Sequence, residues 1–141
     1  MAETHTLTII KPDAFEGGKA GRILAHLEEA GFRLAAARVL HLTREEAETF
    51  YAVHEERPFF RSLVEFMTSG PCMPIVLRRE DAVTELRRVI GATDPAEAEQ
   101  GTVRALYAES KERNAIHASD SDENAMLEAS FFFARRDFLT D

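Results

Sequence analysis

Leu7-Thr8-Ile9-Ile10-Lys11-Pro12 is the stretch from which the fold can be read. A short, apolar, β-branched run that stops at a proline reads as a buried strand. Pro12 has no N–H for an interior ladder, so the strand ends at Lys11. That places an ammonium at the sheet's edge, within reach of a ligand.

Working outward, Gly17-Gly18 marks a turn, and Ile23, Leu24, Leu27 and Ala30 then fall on one helical face closed by Gly31. Phe32 to Leu40 is a strand candidate with irregular alternation. Thr43-x-x-Glu46 has the form of a capping box opening a helix with Ala47, Phe50 and Tyr51. Pro58 starts a further helix in which Phe60, Leu63, Val64 and Met67 recur at helical spacing. Met73 to Leu77 reads as a strand with Pro74 confined to its start or to an edge. Asp81 is placed to cap a helix whose Ala82, Leu86, Val89 and Ile90 face the core, with Gly91 closing it. Residues 92–120 show no strong periodicity, and a loop of that length inside a compact domain tends to be functional. A helix is expected from Ser121 to about Ala129, and Phe131-Phe132-Phe133 as a last, buried strand. Strands and helices interleave, which predicts an α/β (α+β) sandwich with helices on one side of a small sheet. The pattern leaves strand order open.

With 141 residues, 45% of them hydrophobic, the chain suits one domain over 1–141 with a core that needs neither disulfide nor metal. The one cysteine, Cys72, has no partner in the chain and points to a reducing, cytoplasmic setting; its simplest role is as a small core residue. The start of the chain lacks the features of a secretory leader, and no apolar run reaches membrane-spanning length. A net charge of −8 opposes nucleic-acid binding, yet allows a small anion held by a few gathered arginines.

The chemistry concentrates in Asn114-Ala115-Ile116-His117-Ala118-Ser119-Asp120-Ser121. An amide, an imidazole, two hydroxyls and a carboxylate stand there between small or apolar side chains, which suits one histidine partly buried in a hydrogen-bonding cage. A polar loop leading into a helix N-cap would have the same spacing. The Walker and dinucleotide glycine patterns are absent, so side chains must do most of any phosphate binding. The five histidines form no metal-binding pair, and no nucleophile elbow is present. A nucleophilic histidine needs one neutral ring nitrogen and a group holding the other. Glu128 is a candidate holder, since Ser121, Asn124 and Glu128 share one helical face. Either Phe59 or Phe60 belongs to the core, leaving the other free to stack on a base.

Beyond the His117 segment, six further stretches resemble the nucleoside diphosphate kinase family in the same order. They are Ile10-Lys11-Pro12-Asp13, Phe50-Tyr51-Ala52, Glu56-Arg57-Pro58-Phe59-Phe60, Met67-Thr68-Ser69-Gly70-Pro71, Gly91-Ala92-Thr93-Asp94-Pro95 and Gly101-Thr102-Val103-Arg104. The resemblance implies a ferredoxin-like fold with a four-stranded antiparallel sheet. It also implies transfer of a γ-phosphate from nucleoside triphosphate to nucleoside diphosphate by a ping-pong mechanism through a phosphohistidine, with Mg²⁺ held mainly by the phosphates. His117 would be the nucleophile, Glu128 its orienting partner and Ser119 part of the same network. Phe59 would stack on the base, and Lys11 and Asn114 would meet sugar hydroxyls and nearby phosphate. Tyr51, Arg87, Thr93 and Arg104 would hold the phosphates.

The resemblance further implies a homo-oligomer, with tetramer favoured over hexamer because little chain follows the expected last strand. A degenerate nucleotide-binding regulator and a protein phosphorelay are the competing expectations. Three positions depart from the family pattern: Ala118 replaces a usual glycine, Leu106 a commonly polar residue, and Pro74 a usual valine. The extra methyl of Ala118 is expected to press on the nucleophile segment and affect turnover.

Overall fold

Residues 2–139 are described by a computed structural model. The first strand, β1 (Glu3–Ile10), lies inside the sheet, and its residues from Thr6 onward are buried. It pairs antiparallel with β3 (Met73–Glu80) on one side and with β4 (Ile116–Ala118) on the other, and β2 (Arg33–Ala37) pairs antiparallel with β3. The order is therefore β2-β3-β1-β4, a four-stranded antiparallel sheet. The pairing between β2 and β3 slips between Leu34 and Ala36, which explains the irregular alternation read there. Pro74 sits at the start of β3, as its missing N–H requires.

Because both faces of β1 and β3 are apolar, both must be covered. Ile10, Ile75, Leu77 and Ile116 pack against Ile23 and Leu27 of α2 (Ala20–Glu29), Leu86 and Ile90 of α5 (Ala82–Ile90) and Val103 of α6 (Val103–Tyr107). On the opposite face, Leu7, Ile9 and Val76 join Ala47 of α3 (Arg44–Phe50) with Val64 and Met67 of α4 (Phe60–Met67). That cluster also includes Phe132 of α7 (Asp122–Phe132) and Phe138 of α8 (Arg135–Phe138). Helices thus cover two faces where the pattern suggested one. A buried strand shows no alternation from which the number of covered faces can be counted.

Three local expectations are corrected. Phe131 to Phe133 is not a strand: α7 runs on to Phe132, because Ala125, Ala129 and Phe132 recur at helical spacing and are buried together. Asp81 adopts a left-handed conformation and its side chain makes no cap; the hydroxyl of Thr4 accepts the Ala82 N–H at 3.0 Å instead. Residues 92–120 are not structureless, since they contain α6 and β4. The Thr43 capping box is formed, with both reciprocal bonds present. The helix expected at Pro58 opens at Phe60, after Phe59. A short α1 (Pro12–Glu16) begins directly at the proline that ends β1.

Candidate active site

The end of β1, the outer strand β4 and the start of α7 meet at the floor of a cleft of about 1100 Å³. His117 is paired with Ile9 in the ladder, and its carbonyl accepts the buried Thr8 hydroxyl at 2.6 Å. The segment Ile116–Ala118 is thus a three-residue strand at the edge of the sheet. There, one side can be polar while Ile116 remains in the core.

His117 Nε2 lies 2.8 Å from Glu128 Oε1 on α7. The Ser119 hydroxyl donates to that same oxygen at 2.6 Å; the alternative Leu7 carbonyl is 3.4 Å away, so the single proton goes to the carboxylate. With Nε2 facing a carboxylate, the neutral ring carries its proton there and Nδ1 keeps a lone pair. Phe50 and Tyr51 meet the ring edge-on, at centroid distances of 5.6 and 6.3 Å. Phe50 lies in one of the stretches that carry the family resemblance, but the sequence assigned it no role of its own.

Lys11 is only 8% exposed and donates to Asn114 Oδ1 at 2.9 Å. Burial, reinforced by Arg104, lowers its pKa to about 8, while Asp13 opposes the shift. Arg104 donates to the carbonyls of Gly91, Asn114 and Ile116 at 3.0, 3.3 and 2.7 Å, tying together the two segments that border the cleft. Burial, then Arg87, brings it down to about 10, so it is still charged at neutral pH. Gly91 has φ +87°, and a Cβ there would stand 2.5 Å from the Thr102 hydroxyl, so glycine is required on both counts. The Tyr51 hydroxyl is buried with no partner among the described residues, and burial pushes its ionisation far up. A permanently protonated phenol lining the cleft is a donor awaiting an acceptor.

Arg87 and Thr93 line the cleft with Lys11 and Arg104. Phe59, 48% exposed, forms part of the wall while Phe60 packs inward on the second core. Beyond Phe59 a smaller hollow of about 620 Å³ opens, walled by Ser62, Leu63, Phe66 and residues 111–114. All ten residues singled out from the sequence converge here: eight line the cleft, Asn114 borders the hollow, and Ser119 is buried behind Glu128. Asp120, at the rim, is held below the usual carboxylate range by the Asn124 amide, which donates to it at 2.6 Å.

Ala118 does not need to be glycine. Its φ is not positive and it pairs with Thr8 in the ladder, so the backbone freedom of a glycine is not required there. The residue that carries backbone strain is Ala115, with φ +74°.

A sequence profile described as "Nucleoside diphosphate kinase" matches residues 4–138. The nucleoside diphosphate kinase of Chlorobium chlorochromatii is 57% identical over 135 residues, 96% of each chain. That of Salinibacter ruber is 45% identical, covering 100% of this chain and 99% of the relative. Among solved structures, the nucleoside diphosphate kinase of Aquifex aeolicus superposes with TM-score 0.95 at 45% identity, over 98% of this chain and 100% of that one. The halophilic enzyme from Halobacterium salinarum, solved with CDP, gives TM-score 0.93 at 33% identity over 99% and 93% of the two chains.

Proposed function

This chain belongs to the nucleoside diphosphate kinase family, and from that premise we propose that it moves a γ-phosphate between nucleotides through His117. In the first half-reaction, Nδ1 attacks the γ-phosphorus, a P–N bond forms, the bond to the β-phosphate oxygen breaks and nucleoside diphosphate leaves. In the second, a terminal phosphate oxygen of another diphosphate takes the phosphoryl group and restores Nδ1. The Nε2 proton stays in place throughout, and the Glu128 carboxylate offsets the positive charge that the ring acquires.

Phosphoryl transfer depends on positioning and charge neutralisation more than on covalent chemistry from the protein. In this reading Lys11, Arg87, Arg104, Thr93 and Tyr51 receive the phosphates, Asn114 with Lys11 meets the sugar, and Phe59 stacks on the base. A flat aromatic surface does not separate purines from pyrimidines, so the enzyme accepts both. Among the described residues no group of three or more histidine, cysteine, aspartate or glutamate side chains could cage a metal. In this reading Mg²⁺ would be carried on phosphate oxygens, where it would neutralise charge as the phosphoryl group moves.

The observation that carries the reading is the His117–Glu128–Ser119 arrangement at the floor of a cleft into which Lys11, Arg87 and Arg104 are gathered. Incubation with γ-labelled triphosphate alone should label the protein through an acid-labile, base-stable bond, and steady-state plots should be the parallel lines of a ping-pong scheme. Label that survives His117→Ala would refute the assignment.

The chain works in this reading as one domain over residues 1–141 in the cytoplasm; no helix among the described residues is long and apolar enough to cross a membrane. It assembles as a homo-oligomer, a tetramer before a hexamer, for which the outer position of β2 leaves a strand edge available. A monomer by light scattering at micromolar concentration would sink that part.

A further inference from the structure

Asp13 shares a four-residue motif with Lys11, and the transfer described above makes no use of it. It is buried on α1, with Oδ2 accepting the Ala115 N–H at 3.0 Å and Oδ1 lacking a partner among the described residues. The Ala115 carbonyl in turn accepts the Lys11 N–H at 2.9 Å. Residues 11 and 13 therefore hold both backbone groups of Ala115. That residue is in the left-handed region, two positions before His117, and such a conformation persists only where its surroundings enforce it. We propose that Asp13 is a positioning residue for phosphoryl transfer: it enforces the bend that aims His117, and it sets a buried negative charge two residues from Lys11. The inference rests on the roles assigned above to His117 and Lys11.

The sign of the charge effect follows from what surrounds Lys11. Arg87 and Arg88 of α5, Arg104 of α6, His117 of β4 and Glu128 of α7 share its cleft or the adjoining hollow, with His54, Glu97, Glu99 and Asp120 from the connecting segments and Lys111, Glu112 and Arg113 from the loop between α6 and β4. Burial and Arg104 favour the neutral amine, and Asp13 favours the ammonium. Lys11 already stands at about 8, so losing the carboxylate would move it further towards the neutral amine.

The chain has three lysines, Lys11, Lys19 and Lys111, so ¹³C-lysine labelling gives three resolvable side-chain titrations. Lys19→Arg and Lys111→Arg assign them. Asp13→Asn keeps an oxygen for the Ala115 N–H and removes the charge. It should lower the Lys11 midpoint by about one pH unit, with Lys19 and Lys111 unmoved. The alkaline limb of kcat/KM should move down with it. Asp13→Glu, which keeps the charge on a longer arm, should restore the Lys11 midpoint yet slow His117 phosphorylation, and Asp13→Ala should slow it at least tenfold more than Asp13→Asn. An unmoved Lys11 midpoint in Asp13→Asn, or equal phosphorylation rates in the Asn and Ala variants, overturns the proposal. The lysine titration needs no turnover, so it still reads if His117 proves not to accept phosphate.

Discussion

Replacing Glu128 by glutamine isolates the charge on the group that holds His117. One carboxylate oxygen accepts from both His117 Nε2 and Ser119 Oγ, so an amide oxygen in its place can accept from both, with the NH₂ turned away. Geometry is kept and charge is lost. A hydrogen bond to a charged partner contributes about 1.5–3 kcal/mol, against about 0.5–1.5 for a neutral one. The Ser119 bond is the same before and during reaction, so its loss cancels. The His117 bond strengthens as the ring becomes cationic, and about 1–1.5 kcal/mol of that strengthening disappears with the carboxylate. Since each 1.36 kcal/mol is a factor of ten, phosphorylation should slow about tenfold. Glu128→Ala, which also frees the ring to turn, should cost about 10–100-fold. Quench-flow with γ-labelled triphosphate measures the step directly, and the labelled bond should remain acid-labile in both variants. A glutamine variant at full speed, or one as inactive as His117→Ala, would refute the division into reacting and orienting groups.

Phe59→Ala should weaken nucleotide binding by about 1–3 kcal/mol, alike for purines and pyrimidines, with little loss of thermal stability because the ring is half exposed; equilibrium binding and a melting curve check both. Ala115→Gly should raise the unfolding free energy in urea by about 1 kcal/mol by relieving the left-handed backbone. Lys11→Met should abolish turnover and raise stability at pH 7 by up to roughly 3 kcal/mol, because a buried ammonium whose pKa falls from 10.5 to about 8 opposes folding. The unfolded chain holds that proton more tightly than the folded one, so the wild-type penalty is full below about pH 8 and fades as pH climbs towards 10.5; urea titrations across that window should see the gap close.

Those elements whose sequence signal was local were legible in the chain. β1 was marked by its composition and by Pro12, α3 by a capping box that forms as written, and the Phe59–Phe60 pair by the rule that adjacent residues on a helix point apart. What failed depended on partners distant in sequence. Phe131 to Phe133 has the composition of a strand, but β4 already occupies the sheet's edge beside β1, and Phe132 completes a helical stripe instead. The strand character of Ile116 to Ala118 was hidden by the polar residues around it and is supplied by the ladder to Thr8, Ile9 and Ile10. Asp13 could have been suspected from its spacing to Lys11, whereas its bond to Ala115, 102 positions away, had no local sign.

Several unfavourable terms in the molecule are gathered in one place. A buried ammonium at Lys11, a buried guanidinium at Arg104 and a phenol at Tyr51 without a partner among the described residues border the same cleft, a left-handed alanine stands two positions before His117, and each costs folding energy where it stands. The two cores that offset them are built largely of residues such as Leu7, Ile75 and Leu86, which do not line the cleft. This separation has a mechanistic reason. A donor that must neutralise phosphate charge is most effective where water is excluded, and there it is most expensive without its ligand. Nucleotide binding gives these groups the anionic partner that folding withheld, so part of the folding cost returns as affinity for phosphate.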